Sequence, residues 1–229
     1  MAKIDLSNIS HSYNQNDPNP VYALNPFSMT WENGNRYAIL GPSGCGKTTM
    51  LNIVSGLVRP SAGRILFDDK NVTDLITEDR NIAQVFQFPV IYNTMTVYEN
   101  LAFPLKCRNF PKNKTDERVN SVAETLNLKS FLKSPARKLT ADQKQLISLG
   151  RGLVREDVAA VLMDEPLTVI DPDLKFRLRR NLKEINEQYK TTLVYVTHDQ
   201  NEAMTFADNI IVMSEGEVVQ AGSPKELFE

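Results

Sequence analysis

Residues 41–49, with the sequence GPSGCGKTT, constrain the fold of this chain more than any other stretch. They match the pattern G-x-x-x-x-G-K-[ST]. The apolar run at residues 36–40 predicts a buried strand before them, and residues 50–57 place apolar side chains at helical spacing after them. A strand, a glycine-rich turn and a helix start form a phosphate cradle, because backbone N–H groups and the positive end of the helix dipole point at the anion. This context disfavours the alternative, a chance glycine-rich turn.

The residue types in this turn suit the binding of phosphate and Mg²⁺. Glycines let the backbone approach the phosphates closely, Lys47 supplies a positive charge for the outer phosphates, and the Thr48 hydroxyl can ligate Mg²⁺. The predicted phosphate-binding residues are Gly41, Pro42, Ser43, Gly44, Cys45, Gly46, Lys47, Thr48 and Thr49.

Length and composition limit the remaining choices. A chain of 229 residues forms one large domain, or a core with an inserted subdomain. Its net charge of -2 gives no basic surplus for nucleic acid or an anionic membrane. We expect Cys45 and Cys107 to be free thiols, as in a reducing cytosol, because a disulfide at Cys45 would obstruct the turn. The sequence shows no apolar signal segment and no run near the roughly 20 residues that span a bilayer.

Strands and helices alternate along most of the chain. Strands are predicted at residues 4–9, 22–31, 36–40, 64–67, 82–86, 158–163, 193–196, 210–213 and 218–220. Helices are predicted at residues 50–57, 116–128 and 174–189, from about Thr140, and at the chain end from about Ser223. Residues 88–105 are aromatic and contain proline, and we expect them to be irregular. The alternation predicts an α/β fold with a parallel core, interrupted by a helical insertion at residues 88–156.

Two carboxylates follow the most apolar run of the chain. Residues 158–163 are continuously apolar, which predicts a strand buried on both faces, and Asp164 and Glu165 come directly after it. The carboxyl end of a central strand faces the ligand crevice in an open α/β sheet. We therefore expect Asp164 to hold Mg²⁺, often through water. Glu165 would orient or deprotonate a water that attacks the γ-phosphate.

Other polar and aromatic residues lie near strand ends. Gln87 follows the predicted strand at residues 82–86, and its amide can contact Mg²⁺ or the attacking water; the alternative is an ordinary polar strand end. His198 can hydrogen-bond the γ-phosphate or have a structural role. Tyr13 precedes a polar loop and can stack on adenine, or pack as an ordinary strand aromatic. His11 has no such setting, and we expect it on the surface.

Five motifs in chain order resemble those of the ATP-binding cassette (ABC) family, and the resemblance covers the whole chain. They are residues 41–49 (Walker A), Gln87 (Q-loop), residues 161–166, VLMDEP (Walker B with the catalytic glutamate), residues 168–171, TVID (D-loop), and residues 196–199, VTHD (switch histidine). Residues 80–87, 95–105 and 195–204 are similar to the ATPases of carbohydrate importers. The variant LTAD at residues 139–142, with residues 165–172, most resembles one of the two ATPases of bacterial glycerol importers.

The resemblance implies a P-loop NTPase core with a mostly parallel sheet, an N-terminal antiparallel β-subdomain and an inserted α-helical subdomain. Residues 1–229 would form one nucleotide-binding domain. Residues 1–87 and 157–229 would make its core and β-subdomain, and residues 88–156 its helical signature subdomain. Family members of the sugar-importer type usually continue into a C-terminal regulatory β-domain. We expect that domain to be absent or removed here, since the sequence stops at Glu229.

The resemblance also implies ATP and Mg²⁺ as cofactors and import of a small carbohydrate or polyol, glycerol included. Two ATPase subunits would close on ATP and drive transmembrane permease subunits docked against residues 88–105. An extracytoplasmic substrate-binding protein would act indirectly, and the chain would sit peripherally at the cytoplasmic face of the membrane, with no nucleic-acid partner. The catalytic residues implied are Glu165, His198 and Gln87, and the metal-binding residues are Thr48, Gln87 and Asp164.

One motif departs from the family pattern. The signature Leu-Ser-Gly-Gly-Gln, which contacts the γ-phosphate held by the opposite subunit, reads LTADQ at residues 139–143. Thr140 and Gln143 keep the expected chemistry, but Asp142 brings a negative charge toward a polyanion. Like charges about 4 Å apart repel by roughly 1 kcal/mol in water and about 4 kcal/mol near a protein surface. Thr140 and Gln143 also make a capping box, so the helix start itself is well formed.

A weakened signature predicts a heteromeric pair, in which the partner ATPase carries the intact signature. Two identical copies are the alternative. Two other functions stay open from the sequence: a regulatory nucleotide-binding subunit with little catalysis, and a soluble ABC ATPase that acts in translation or DNA repair.

Overall fold

The fold is taken from a computed structural model that describes residues 2–168 and 170–228. The strands are β1 (Ile4–His11), β2 (Leu24–Trp31), β3 (Arg36–Leu40), β4 (Ala62–Phe67), β5 (Lys70–Asn71), β6 (Ala83–Val85), β7 (Ala160–Asp164), β8 (Thr192–Thr197), β9 (Asn209–Ser214) and β10 (Glu217–Gly222). The helices are α1 (Lys47–Ser55), α2 (Val97–Lys106), α3 (Lys112–Thr125), α4 (Ala141–Leu153), α5 (Pro172–Tyr189), α6 (Gln200–Phe206) and α7 (Pro224–Phe228). In this described part of the chain, no helix has the length and apolar character needed to cross a membrane.

The larger sheet carries the phosphate turn at its centre. Its strand order is β10-β9-β3-β8-β7-β6, and every neighbouring pair is parallel except β10 with β9. All residues of β7 and β8 are buried, as the continuous apolar run at residues 158–163 predicted for β7. Parallel strands present their carboxyl ends at one edge, so the segments after β3, β6, β7 and β8 meet there. The predicted α/β fold with a parallel core is confirmed.

The smaller sheet is antiparallel and has the order β2-β1-β4-β5. Its inner side chains share one apolar core with α1 and with one face of the larger sheet, represented by Ile39 and Leu162. The other face of the larger sheet, represented by Val161 and Met163, packs in a second core with helices α2 to α6. Successive residues of β7 therefore enter different cores, because side chains alternate along a strand. The predicted N-terminal antiparallel β-subdomain is confirmed.

The prediction that all of residues 88–105 are irregular is wrong, because part of this segment is helical. Residues 97–105 belong to the stretch that was expected to be irregular, but they lie in helix α2. Thr96 and Glu99 start it with a capping box, in which Thr96 Oγ1 accepts from the Glu99 backbone N–H and Glu99 Oε2 accepts from the Thr96 N–H at 2.7 Å. The aromatic content and Pro104, which lies inside the helix, concealed this start signal in the sequence. Treating residues 88–156 as a separate helical subdomain remains our proposal.

Replacing Thr96 with alanine is expected to destabilise the protein by about 1 kcal/mol, because α2 loses its side-chain N-cap. Thr125→Ala is the matched control, since Thr125 is the last residue of a different helix, α3, and its hydroxyl donates to Ser121 O and caps no N-terminus. Its effect should stay within about 0.5 kcal/mol. Equal midpoints for the two variants in urea unfolding would show that the box does not contribute.

Candidate functional site

A cavity of about 610 Å³ lies at the carboxyl edge of the larger sheet, over the phosphate turn. It is lined by Tyr13, Ala23, Ser43, Gly44, Gly46, Lys47, Thr48, Thr49, Gln87, Glu165, Thr168 and His198. Ten of these twelve are predicted site residues, although they come from five separate stretches of the chain. Ala23 and Thr168 were not predicted as binding residues.

The turn after β3 depends on glycine at two positions. Gly46 has φ 102°, and a Cβ there would lie 2.5 Å from the backbone oxygen of Ala23. A Cβ at Gly41 would lie 2.3 Å from the backbone oxygen of Met213. Either side chain would force the backbone apart, so the tight path of the turn requires both glycines. The turn delivers the chain into α1 at Lys47, and the open N-terminus of α1 faces the cavity, as an anion site requires.

The ammonium of Lys47 is held at the turn by backbone oxygens. Lys47 Nζ donates to Gly41 O and Pro42 O, both at 2.8 Å, and lies 3.9 Å from Cys45 Sγ. Lys47 is only 5% exposed, so its charge is shielded from bulk water and acts strongly on an anion in the cavity. Cys45 is a buried free thiol, as predicted. Gly41, Pro42 and Cys45 are not among the residues that line the cavity; they build the turn that positions those that do.

Thr48 and Asp164 present a hydroxyl and a carboxylate together. Thr48 Oγ1 donates to Asp164 Oδ2 at 2.9 Å, joining the start of α1 to the end of β7. Burial raises the pKa of Asp164, and the Thr48 hydrogen bond and the charge of Lys47 oppose that rise. A cation beside this carboxylate would favour its charged form. Hard oxygen ligands of this kind suit Mg²⁺, which typically binds one or two carboxylates and the phosphates of a substrate.

Glu165 is the centre of a polar cluster. Its Oε2 lies 3.4 Å from Gln87 Nε2, 3.4 Å from His198 Nδ1 and 3.3 Å from Thr168 Oγ1. Glu165 has φ 44°, an uncommon conformation for a residue with a Cβ, and its N–H donates to Val196 O at 3.1 Å. Strained backbone of this kind often occurs at functional sites. The structure thus brings together the three residues that were predicted to be catalytic.

Thr168 joins this cluster through its position in the turn after Glu165. Its hydroxyl also lies 3.0 Å from the Glu165 backbone oxygen. The D-loop resemblance of residues 168–171 was the only sequence signal for it, and Val169 lies outside the described residues.

Tyr13 lies at the other end of the cavity. Tyr13 is 66% exposed and follows β1, so it is not an ordinary packed strand aromatic. The Tyr13 hydroxyl lies 3.2 Å from Thr49 Oγ1, and its ring meets the His11 ring at 4.5 Å between centroids and 88° between planes. The exposed ring face is available for a base to stack on.

The expected surface position of His11 is wrong. His11 is only 6% exposed, and its Nδ1 lies 3.3 Å from Ser61 Oγ. Burial lowers the pKa of His11 and so favours the neutral ring. The sequence could not show this, because Ser61 is supplied by the chain just before β4.

Removing the Tyr13 ring should weaken nucleotide binding through the base alone. Tyr13→Ala is expected to lower ATP affinity by about 5- to 160-fold, since base–aromatic stacking contributes about 1–3 kcal/mol. Inorganic tripolyphosphate, which has no base, should bind to the wild type and the variant equally. Tyr13→Phe keeps the ring and should bind ATP like the wild type in a calorimetric titration. An equal loss of both ligands in Tyr13→Ala would contradict stacking.

The predicted signature residues lie elsewhere. Thr140 and Gln143 start α4 and do not belong to the described lining of this cavity. The predicted capping box is present, since Thr140 Oγ1 accepts from the Gln143 N–H at 3.4 Å and Gln143 Oε1 accepts from the Thr140 N–H at 3.1 Å. Thr140 Oγ1 also donates to the Asp142 carboxylate. The hydroxyl that a phosphate would need is therefore already engaged.

A protein-family model described as ABC transporter matches residues 24–168, more than half of the chain. The chain belongs to the ABC transporter family. The resemblance drawn from the motifs is confirmed.

Named relatives of this ABC chain include import ATP-binding proteins. It is 42% identical over 229 residues to the sn-glycerol-3-phosphate import ATP-binding protein UgpC 3 of Agrobacterium fabrum, which covers 100% of this chain and 64% of the relative. It is 45% identical over 215 residues to the trehalose/maltose import ATP-binding protein MalK of Thermococcus litoralis, with coverages of 91% and 58%. The chain thus spans less than two thirds of the length of these relatives.

Solved ABC structures share the fold. The structure of cbiO1 from Clostridium perfringens, part of the ABC transporter complex cbiONQ, aligns with a TM-score of 0.86 at 28% identity and covers 98% of this chain and 90% of that one. The ATP-binding cassette MJ0796, a dimer in a post-hydrolysis state with ADP and Pi, also aligns with a TM-score of 0.86 at 28% identity, covering 96% and 98%. The predicted P-loop NTPase fold is confirmed.

Proposed function

We propose that this ABC chain is the ATP-hydrolysing subunit of an importer for a small carbohydrate or polyol. One observation carries the proposal: the Glu165 carboxylate contacts both Gln87 and His198 at the cavity that Lys47 and Thr48 line. Water can attack a phosphoryl group when a base accepts its proton and polar groups orient it and the phosphate. The carboxylate, the amide and the imidazole beside the phosphate cradle can provide these functions.

The residues divide this chemistry between them. The turn and Lys47 hold the phosphates, and Glu165 accepts the proton of the attacking water. Gln87 orients that water, and His198 donates a hydrogen bond to the terminal phosphate. Thr48 and Asp164 would hold Mg²⁺, which when bound neutralises charge on the phosphate oxygens. Because Lys47 and Asp164 are buried, water screens the electrostatic interactions of these two charges only weakly.

The substrate class rests on the relatives. UgpC 3 and MalK are named for import of sn-glycerol-3-phosphate and of trehalose or maltose. A third relative, MsmX of Bacillus subtilis, is 39% identical and is named for import of oligosaccharides. We therefore propose a polyhydroxylated substrate, glycerol included. An extracytoplasmic binding protein would deliver it to the permease, and this chain would remain peripheral at the cytoplasmic face of the membrane.

The partner ATPase is proposed to be a different chain. The Asp142 carboxylate engages the Thr140 hydroxyl at the start of α4 and adds a negative charge where a partner's γ-phosphate would approach. A partner with an intact signature would complete the cavity described above. The reciprocal site, formed with Thr140 and Gln143, would hydrolyse ATP poorly. Two identical copies are the competing arrangement.

Residues 88–92 offer a surface for the permease subunits. Phe88 is 74% exposed, and Val90 and Tyr92 are also exposed. Arg151 stacks on the Tyr92 ring at 4.5 Å and donates to Val90 O, so α4 supports this exposed segment. Exposed apolar side chains on a supported segment are typical of a protein-binding surface. The same segment follows Gln87 directly, and Gln87 lines the cavity. A permease subunit bound to residues 88–92 could therefore alter the position of Gln87.

Phe88→Ala is expected to reduce copurification of the chain with its permease subunits at least about 10-fold, because an exposed aromatic side chain is a frequent binding hot spot. Phe176→Ala on α5 is the matched control, since Phe176 is also exposed, at 62%. The proposal of docking here would fail if both variants were retained equally with the membrane subunits.

Transport by the reconstituted complex tests the proposed function. The complete importer in proteoliposomes should take up labelled substrate only with internal ATP, and a panel of glycerol, glycerol 3-phosphate and maltose would identify the class. ATP hydrolysis that neither the binding protein nor any of these substrates stimulates, with no uptake, would contradict it. Copurification with ribosomes instead of membranes would favour the soluble ABC ATPase.

A further inference from the structure

Glu202 is a buried carboxylate on α6 whose side-chain partners lie on two other elements, β8 and α5. It lies in the first turn of α6 and is 7% exposed. Glu202 Oε2 accepts from Tyr195 Oη at 2.9 Å and from Thr197 Oγ1 at 2.8 Å, both in β8. Glu202 Oε1 accepts from Arg179 at 3.2 Å and lies 3.7 Å from Lys175 Nζ, both in α5. A buried charge paired this fully holds its neighbours in one arrangement.

The backbone on both sides of His198 depends on this carboxylate. Thr197 donates its hydroxyl proton to Glu202, and the same oxygen accepts from the Asp199 N–H at 3.0 Å. The Asp199 side chain in turn caps α6, accepting from the Asn201 N–H at 2.8 Å and the Glu202 N–H at 3.2 Å. His198 lies between these two anchored residues. Its own side chain is 59% exposed and contacts Glu165.

The same carboxylate ties this turn to α5. That helix begins after Asp171, which accepts from the Asp173 N–H, and the chain before it leads back to Glu165. Arg179 and Lys175 therefore connect the segment that follows Glu165 with the turn that carries His198. A displacement of α5 would be transmitted to His198 through Glu202 and Thr197.

We propose that Glu202, acting through the Thr197 hydroxyl, is the positioning residue that holds His198 beside Glu165 and couples it to α5. The inference rests on the proposed function, because it assigns a support to a group of that site. Glu202 does not line the cavity and needs no contact with the nucleotide.

Thr197→Val tests this contact, because it removes the bridging hydroxyl and keeps the shape of the side chain. In the assembled importer we expect ATP turnover at least 10-fold below wild type, with the ATP dissociation constant unchanged within threefold. Thr197→Ser restores the hydroxyl and should recover turnover to within twofold. Thr205→Val is the matched control on α6, since its hydroxyl donates to Asn201 O, away from His198.

The NMR signals of the histidine imidazoles test whether Thr197 and Glu202 position His198. A general loss of stability in a variant would not change the His198 signals selectively. The sequence contains two histidines, His11 and His198, so His198→Ala assigns both signals. In Thr197→Val the His198 signals should shift or broaden while those of His11 stay in place. Glu202→Gln removes the paired charge and should change His198 in the same way.

Turnover of Thr197→Val within twofold of wild type, with unmoved His198 signals, would overturn the proposal. Equal losses in Thr197→Ser and Thr197→Val would also overturn it, because the methyl group and not the hydroxyl would then matter. If Thr197→Val does not fold, the pair Thr197→Ala and Thr197→Ser asks the same question. Failure of this inference can be told apart from failure of the proposed function. If the proposed function is wrong, Glu165→Gln should keep full ATPase activity.

Discussion

The Glu165→Gln variant of the proposed importer is expected to hydrolyse ATP at least about 100-fold more slowly than wild type, the range typical for removal of a general base. Glutamine has the size of glutamate but cannot accept the proton of the attacking water. The contacts to Gln87, Thr168 and His198 place the carboxylate at the cavity, so the loss should lie in turnover. ATP affinity should stay within about threefold of wild type, since phosphate binding rests mainly on Lys47 and the turn.

Steady-state phosphate release and equilibrium ATP binding separate these effects. Glu117→Gln, which makes the same chemical change at an exposed position of α3, serves as the control and should leave both quantities unchanged. A Glu165→Gln complex that hydrolyses ATP within twofold of wild type would remove Glu165 from the reaction.

Asp142→Gly should convert this chain into one that pairs with itself. In the Glu165→Gln background, which should hydrolyse bound ATP only slowly, we expect the chain with its native Asp142 to remain mostly monomeric when MgATP is added. The Asp142→Gly change should strengthen ATP-dependent self-association at least about 10-fold. Each of the two symmetric contacts would lose a repulsion on the order of 1–4 kcal/mol. It would also free the Thr140 hydroxyl from its bond to Asp142.

Light scattering with and without MgATP measures the mass directly. Asp142→Asn is the informative control, because it removes the charge and keeps a side chain of the same size. If Asp142→Asn pairs as tightly as Asp142→Gly, charge is the obstacle; if only Asp142→Gly pairs, the side chain itself obstructs the contact. Equally tight ATP-dependent dimers with and without Asp142→Gly would contradict an impaired signature and favour two identical subunits.

The phosphate turn and the carboxylates after β7 could be predicted because local chemistry specifies them. A strand followed by G-x-x-x-x-G-K-T is compatible with few backbone conformations. A continuous apolar strand followed by two acidic residues places Asp164 and Glu165 at the carboxyl edge of the sheet. Local sequence does not specify how close Thr48 lies to Asp164. The Thr48–Asp164 hydrogen bond joins residues 116 positions apart, and it depends on the strand order that places β8 between β3 and β7.

Sequence reasoning misplaced one residue, His11, and did not identify another, Glu202, because the setting of each depends on distant partners. His11 is buried by packing near Ser61 and Tyr13. Glu202 lies in α6, a helix that was not predicted, and its partners come from α5 and β8. Neither hydropathy nor spacing records such contacts, because both are local properties and these interactions are made by tertiary packing.

The central claim is that the cavity at the carboxyl edge of the larger sheet is the ATP site. An experimentally determined structure of the Glu165→Gln chain with MgATP tests it most directly. We predict the triphosphate against residues 41–49, Mg²⁺ beside Thr48 and Asp164, and the adenine on the exposed face of Tyr13. ATP bound instead in the crevice lined by Lys114, Arg118 and Tyr189, with the phosphate turn empty, would contradict the claim.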